Sequence, residues 1–483
     1  MSVIDINVVE DHERFRAELA SIQPDGRRRW IFARKPQGKF TNWRIFVGVL
    51  LIAFLAAAPF VKVRGHQFLL FNIIDREFVF FGVPFWPNDF YLVAVLFLTG
   101  IVSIVLLTAS IGRIWCGWLC PQTVFMEMIF RRIEWGIHGG PAEQARRKAG
   151  PWNSDRVWRT VVAIAIFFAI SFMIANVFLA YVVSSDRLVQ YMQDGPLPHL
   201  ELFIGLVFFT FVFFMVFYRF REQACLIACP YGRYMSALVD ENTIAVTYDH
   251  IRGEKRVKWD REDVTAQKSA HAIGGNTVRA DGKGSCIDCH QCVTVCPTGI
   301  DIRNGIQLEC VNCTACIDAC NSVMSKVGLP SGLIRYTSLR SVVNKDRGSF
   351  MTNRIKAYGI VWLLLVTVVT VLFANRQDLD IVILRQEGTT WVMSTDGYMN
   401  IYRIQMINKS GSQIHYTLDV VSPKGYTIKP LGIPNTIESM QILKGRFMVK
   451  RSSVASGSSQ EPLVISVSYG DDQQLLSTAF LAP

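Results

Sequence analysis

The sequence has no cysteine after Cys320, although twelve occur up to that point. Disulfides persist in oxidising compartments, so a cysteine-free tail argues against a disulfide-bonded exported protein. No GxGxxG follows a strand, which removes the usual fold for NADH or FAD. Nothing suggests c-type haem attachment, since the one CxxCH, Cys286–His290, lies inside a longer cysteine run. No basic stripe accompanies a recognition fold, so the net charge of +11 does not point to nucleic acid. The first roughly forty residues are polar and basic, unlike a cleavable secretory signal. Lysine and arginine are scarce in two of the loops between apolar runs. One loop holds Lys62, Arg64 and Arg76, the other only Arg187.

What is present in excess is apolar sequence, at 51% of residues. Uninterrupted apolar runs of about 18 residues or more read as membrane-spanning helices. Five occur: Trp43–Val61, Phe90–Ile111, Trp158–Val183, Leu202–Phe220 and Ala357–Ala374. A further greasy stretch, Phe68–Trp86, is broken by Asp75, Arg76 and Glu77 and reads as a re-entrant or interfacial hairpin. Basic residues cluster before the first run, between the second and third, and after the fourth. By the positive-inside rule, the N-terminus and these loops are cytoplasmic. Five crossings of a bacterial inner membrane then put the tail outside. The expected division is 1–42, a cytoplasmic segment; 43–247, four spans; 248–346, a cytoplasmic ferredoxin-like domain; 347–376, the fifth span; and 377–483, a periplasmic domain. All twelve cysteines fall on the cytoplasmic side or at its membrane edge, where reduced thiols call for metal or redox chemistry.

Eight of them form two runs. CIDCHQCVTVCP supplies Cys286, Cys289, Cys292 and Cys296, and CVNCTACIDAC supplies Cys310, Cys313, Cys316 and Cys320. This is the spacing of two-cluster bacterial ferredoxins, in which the fourth cysteine of each run ligates the other cluster. Cys286, Cys289, Cys292 and Cys320 are therefore expected to hold one [4Fe-4S] cluster. Cys310, Cys313, Cys316 and Cys296 are expected to hold the second. Asn321 stands where a proline usually follows the last cysteine, which loosens a turn without removing a ligand. Paired zinc sites are the alternative, but these use two well-separated cysteine pairs.

The remaining four cysteines form a repeat at the ends of two spans, CGWLCPQT and CLIACPYG. Aligned, Cys116, Cys120, Pro121, Phe125 and Met126 match Cys225, Cys229, Pro230, Tyr234 and Met235, with Arg113 and Arg221 ahead. A span plus motif is duplicated about an axis along the membrane normal. Proline disfavours helix at the preceding residue and suits the first turn of a new one. Each span should end, the chain break, and a short amphipathic helix begin, Pro121–Ile137 in the first copy. Free cysteines also serve simply as small packing residues. Four soft thiolates suit Cu(I) or iron–sulfur over hard ions. Met126 and Met235 are secondary candidates for the same metal, and His138 and His290 lesser ones.

The tail alternates apolar and polar residues in IVILRQ, WVMS, MNIYRIQMIN, IHYTLDVVS, MQILKGRFMVKR and LVISVSYG, separated by turn sequences. That pattern implies an all-β, immunoglobulin-like sandwich without a disulfide. Met393, Met399, Met406, Met440 and Met448 are scattered along it, as core methionines are. The fold class expected is thus a polytopic α-helical membrane protein with an inserted two-cluster ferredoxin module and a C-terminal β-sandwich.

Tandem ferredoxin runs, two CxxxCP sites and an external β tail together resemble the CcoG/FixG/RdxA family, from Trp30 to the end of the chain. The resemblance implies a membrane accessory protein for assembly of cbb-type cytochrome c oxidase. It also implies a role in copper delivery as a Cu(II) reductase, with Cys116, Cys120, Cys225 and Cys229 as the candidate catalytic and copper-binding residues. Implied partners are the bilayer, copper or a copper chaperone or transporter, the oxidase assembly machinery and an electron donor that the sequence does not identify. NapH- and NosR-like proteins share the CxxxCP sites, so a quinol-linked electron-transfer subunit for a periplasmic reductase is the alternative. A non-redox scaffold stabilised by its clusters is the third reading.

Overall fold

The structure is a computed structural model. It describes residues 22, 25, 27–63, 65–73, 77–86, 89–236, 238–258, 272–273, 276–277, 284–307, 309–344, 351–388, 391–394, 397–410, 412–439, 441–470 and 472–482, with the exception of 453–458. Five helices among these are long and apolar enough to cross a membrane: Lys39–Ala57, Phe90–Ile111, Ser154–Val183, Leu200–Phe220 and Asn353–Ala374. Many of their large apolar side chains face outward, such as Phe97, Ile204, Phe208 and Leu363. An outward apolar face suits lipid rather than water, and the chain is a multi-pass membrane protein.

The residues group into two compact units. The first comprises Met1–Lys62, Gln67–Phe81 and Phe85–Val369; the second comprises Val63–His66, Gly82–Pro84 and Thr370–Pro483. This grouping differs from the expected division, because the ferredoxin residues fold with the spans. The boundary placed at 247/248 falls inside a strand, Ala245–Tyr248, which pairs antiparallel with Ile334–Thr337. The stretch expected to be a re-entrant hairpin is built from strands. Leu69–Asn72 pairs antiparallel with Glu77–Phe80, and Val83–Phe85 is a further strand. Buried Gln67 ties it to the third span by donating to Ala180 O at 3.0 Å and accepting from Ser185 N at 3.0 Å. Arg64, Asp75 and Arg76 lie outside the described residues.

The second unit carries two antiparallel sheets. One runs Leu379–Arg385, Gly397–Asn408, Ile442–Ser452, Tyr426–Leu431, with Val392–Ser394 also on Gly397–Asn408. The other runs Thr436–Ile437, Ile414–Ser422, Gln460–Tyr469, Asp472–Leu481. Alternate residues of both sheets bury a common core of Leu379, Tyr402, Ile404, Phe447, Leu463, Ile465 and Phe480. This is the two-sheet packing of an immunoglobulin-like sandwich. Met406 is fully buried in that core, Met393 is exposed, and Met440 lies outside the described residues.

Candidate electron-transfer site

The eight ferredoxin cysteines line two neighbouring cavities. Cys286, Cys289, Cys292 and Cys320 line one, with Tyr248, Ile287, Leu333 and Ile334. Cys296, Cys310, Cys313 and Cys316 line the other, with Val246, Ile300, Val311 and Thr314, and Cys292 reaches both. Each triplet thus meets the fourth cysteine of the opposite run.

The local backbone explains the wrapping. Asp288 and His290 in the first run, and Asn312 and Thr314 in the second, take left-handed conformations with φ between 51° and 65°. Asp and Asn tolerate this region better than most residues. The turns fold each CxxCxxC around a point. Among the described residues, no three His, Cys, Asp or Glu side chains converge closely enough to hold a single metal ion. Thiols that ring a cavity instead suit a multi-iron cubane. Burial pushes Cys292 up to about 12, with Asp301 adding to it, and burial also pushes Cys310 and Cys320 up to about 12. Dry thiols of this kind become thiolates only when a metal supplies the compensating charge. The residues therefore fit two [4Fe-4S] clusters, here termed outer (Cys286, Cys289, Cys292, Cys320) and inner (Cys296, Cys310, Cys313, Cys316). Cys289 is the exposed thiol of the outer set.

The two CxxxCP turns repeat atom for atom in their backbone bonding. Cys120 N donates to Trp115 O at 2.8 Å, and Cys229 N donates to Ala224 O at 2.9 Å. Cys120 and Cys229 are extended, with ψ of 123° and 112°. Pro121 and Pro230 each begin the next helix, where a missing N–H costs nothing. The first helix runs through three consecutive segments from Pro121 to His138. Four residues before each first cysteine the chain turns left-handed, at Gly112 (φ 65°) and Arg221 (φ 54°). The structural counterpart of Arg221 is thus Gly112, and Arg113 matches Glu222.

The copies interlock. Arg113 Nη2 donates to Gly232 O at 2.7 Å, and Tyr231 Oη meets Thr108 Oγ1 at 3.1 Å. This brings the four thiols into mutual range. Burial pushes Cys116 up to about 11; Arg113 opposes the rise, while Cys120 and Cys229 add to it. Burial pushes Cys225 up to about 12, with Cys120, Cys116 and Cys229 adding to it.

The first turn also packs on the inner-cluster loop. Cys116, Val295, Val311, Cys313 and Ala315 form one buried apolar cluster. Trp118 Nε1 donates to Asn312 O at 3.2 Å, and Asn312 Nδ2 donates to Ile111 O at 3.4 Å. An ideal Cβ on Gly117 would lie 2.3 Å from Val311 O, so only glycine permits this approach. At the first span, Asp318 accepts from Phe40 N at 3.2 Å and from Thr41 N at 2.7 Å. A carboxylate of the ferredoxin helix Ala315–Lys326 thereby caps the N-terminus of Lys39–Ala57.

Other candidates fall elsewhere. Met126 is buried among Phe130, Phe167, Phe214 and Phe217. The side chain of Met235 lies outside the described residues. His290 Nδ1 faces Arg303 Nη2 at 2.9 Å, and His138 lines a separate cleft with Trp30, Glu134 and Tyr218. Sequence reading missed Asn312 and Arg44, whose Nε donates to Gly117 O at 2.8 Å. The one available signal was that Asp288 and Asn312 occupy the same place in the two cysteine runs.

Three family models match. A 4Fe-4S dicluster domain matches residues 220–339, a 4Fe-4S binding domain matches 93–138, and the IG-like fold at the C-terminal of FixG matches 369–483. Protein RdxA of Cereibacter sphaeroides is 32% identical, over 82% of this chain and 83% of its own. Nitrogen fixation protein FixG of Rhizobium meliloti is 31% identical, over 84% and 82%. Protein RdxB of Cereibacter sphaeroides is 30% identical, over 84% and 85%.

Proposed function

The chain belongs to the FixG/RdxA family of membrane iron–sulfur electron-transfer proteins, and from that premise we propose that its electron acceptor is Cu(II), reduced at the CxxxCP thiols for copper delivery during assembly of a cbb-type cytochrome c oxidase. The observation that supports this reading is the buried apolar cluster that Cys116 shares with Cys313, a candidate inner-cluster ligand. The clusters, when bound, supply single electrons. The residues do the rest. Gly117 and Asn312 hold the first turn against the inner-cluster loop, and Arg113 and Tyr231 hold the second turn against the first. The thiols of the two turns then lie within electrostatic range of one another, and soft thiols favour Cu(I) over Cu(II). One electron converts one substrate Cu(II) to Cu(I), and the thiols retain the product until a copper chaperone or transporter takes it.

The Lys/Arg distribution supports an orientation with the N-terminus and clusters cytoplasmic and the β-sandwich periplasmic. A reporter fused after the sandwich should give a periplasmic signal; a cytoplasmic one would overturn that orientation.

The test of copper chemistry is the double variant Cys120→Ser/Cys229→Ser, since serine is a hard, poor ligand for Cu(I). About eight irons per chain should remain, while Cu(I) binding and Cu(II) reduction fall together. Unchanged reduction would refute the assignment. A second reading has its own observation, because the 4Fe-4S binding model over 93–138 takes in Cys116 and Cys120. If those thiols hold a further iron–sulfur centre, iron exceeds about eight per chain and drops in the double variant.

A further inference from the structure

Arg44 is a cation in an unusual place. It belongs to the first span and is 5% exposed. Its Nε donates to Gly117 O, but its buried Nη2 has no hydrogen-bond partner among the described residues. A buried guanidinium is costly unless a counter-charge faces it. Gly117 in turn lies against Val311 O, and Val311 lines the inner cavity between Cys310 and Cys313. Burial raises the Cys313 thiol, and the Arg44 charge opposes that rise. Glu127 acts on the same thiol less strongly and is itself paired with Arg131 at 3.0 Å. The outer cluster has a different setting. Arg303 there binds Asp301 at 2.6 Å and also pairs with Asp288, so its charge is largely spent. Arg252 lies beside Cys320 but has Asp249 as its first electrostatic partner.

We propose that Arg44 is the counter-charge of the inner cluster, and that by favouring its reduced, more anionic state it makes this cluster the electron's resting place beside the CxxxCP thiols. A cluster potential rises with positive charge nearby and with hydrogen bonds toward its sulfurs, and Nη2 of Arg44 is available for such a bond. One electron, supplied by a low-potential one-electron carrier, passes from the outer cluster, which returns to its oxidised state, to the inner cluster, which becomes the reduced one. No proton need move, because the guanidinium is already charged. Arg44 is a positioning residue for the electron, acting through the cluster and through the Gly117 carbonyl. The inference rests on the electron-transfer reading and is independent of copper as the acceptor.

The test is an anaerobic redox titration of the full-length iron-loaded protein, followed by electron paramagnetic resonance, for wild type, Arg44→Gln and Arg44→Lys. A Cys289→Ser variant identifies the outer-cluster signal. In Arg44→Gln the inner-cluster midpoint should move to lower potential while the outer stays in place. Arg44→Lys, which keeps the charge, should restore most of the wild-type separation. Unchanged potentials in an Arg44→Gln protein that retains its iron would overturn the proposal, as would equal shifts of both. Should Arg44→Gln fail to load, the lysine variant decides: a retained separation supports the proposal, and a collapsed one overturns it. A wild-type protein that failed to reduce Cu(II) would leave these potentials as they are, so the two readings fail separately.

Discussion

The two CxxxCP turns share a backbone and differ in what they face. The first lies against the ferredoxin loop, with Gly117 under Val311 O and Trp118 bonded to Asn312 O. The second lies against the first, through Gly232 and Tyr231. The left-handed residue before each turn shows the same divergence. In the first copy it is Gly112, where a Cβ would strike Asn312 Nδ2 at 2.5 Å. In the second it is Arg221, whose strain of roughly 1–2 kcal/mol is offset by a bidentate pair with Glu134 at 2.8 and 2.7 Å. The two thiol-bearing turns share one sequence pattern, and their neighbours set the first against the inner-cluster loop and the second against the first.

The largest effect should come from forcing the first turn off the inner-cluster loop. Gly117→Val puts side-chain atoms where a backbone carbonyl sits, and overpacking against an unyielding neighbour costs about 1–3 kcal/mol or more. Cu(II) reduction should fall to background while about eight irons per chain remain. Retained reduction would erase the distinction between the turns. Asn312→Ala should come next. It removes hydrogen bonds to Ile111 O and from Val246 N and leaves alanine at φ 53°, for a loss of about 1–3 kcal/mol, read by thermal denaturation. Asn312→Gly, which accepts that φ, should recover part of it. The smallest effects sharpen the comparison. Trp118→Phe and Tyr231→Phe each delete one hydrogen bond, worth about 1 kcal/mol. Stability should fall alike in both, but only Trp118→Phe should slow electron arrival at the thiols. Equal slowing would make the two turns equivalent.

Much of this architecture was legible in the sequence, because its signals are local. Phe90–Ile111 is bounded as its apolar run predicts, with Gly112 ending the helix. The first span begins at Lys39 rather than Trp43, because its cap is Asp318 of the ferredoxin helix, far away in the chain. The cysteine runs are legible without the fold, since ligand spacing is dictated by cubane geometry. Periodicity could not reveal Arg44, whose hydrogen-bond partner Gly117 lies 73 residues away. A lone arginine in an apolar run reads as an exception to the run until the cluster loop that faces it is in place. Nor could a span-by-span reading show that the ferredoxin residues fold as one unit with the spans, because the strand Ala245–Tyr248 finds its partner only at Ile334–Thr337.

Under the proposed function, electrons stored in the ferredoxin module leave through the CxxxCP thiols. The most direct measurement is anaerobic oxidation of fully reduced, iron-loaded protein by stoichiometric Cu(II), followed by cluster absorbance and by a Cu(I) chelator. With one electron stored in each cluster, wild type should yield about two Cu(I) per chain as both clusters reoxidise, whereas Cys120→Ser/Cys229→Ser protein should stay reduced and yield little. Reoxidation of the double variant at the wild-type rate, with the same yield of Cu(I), would contradict the account.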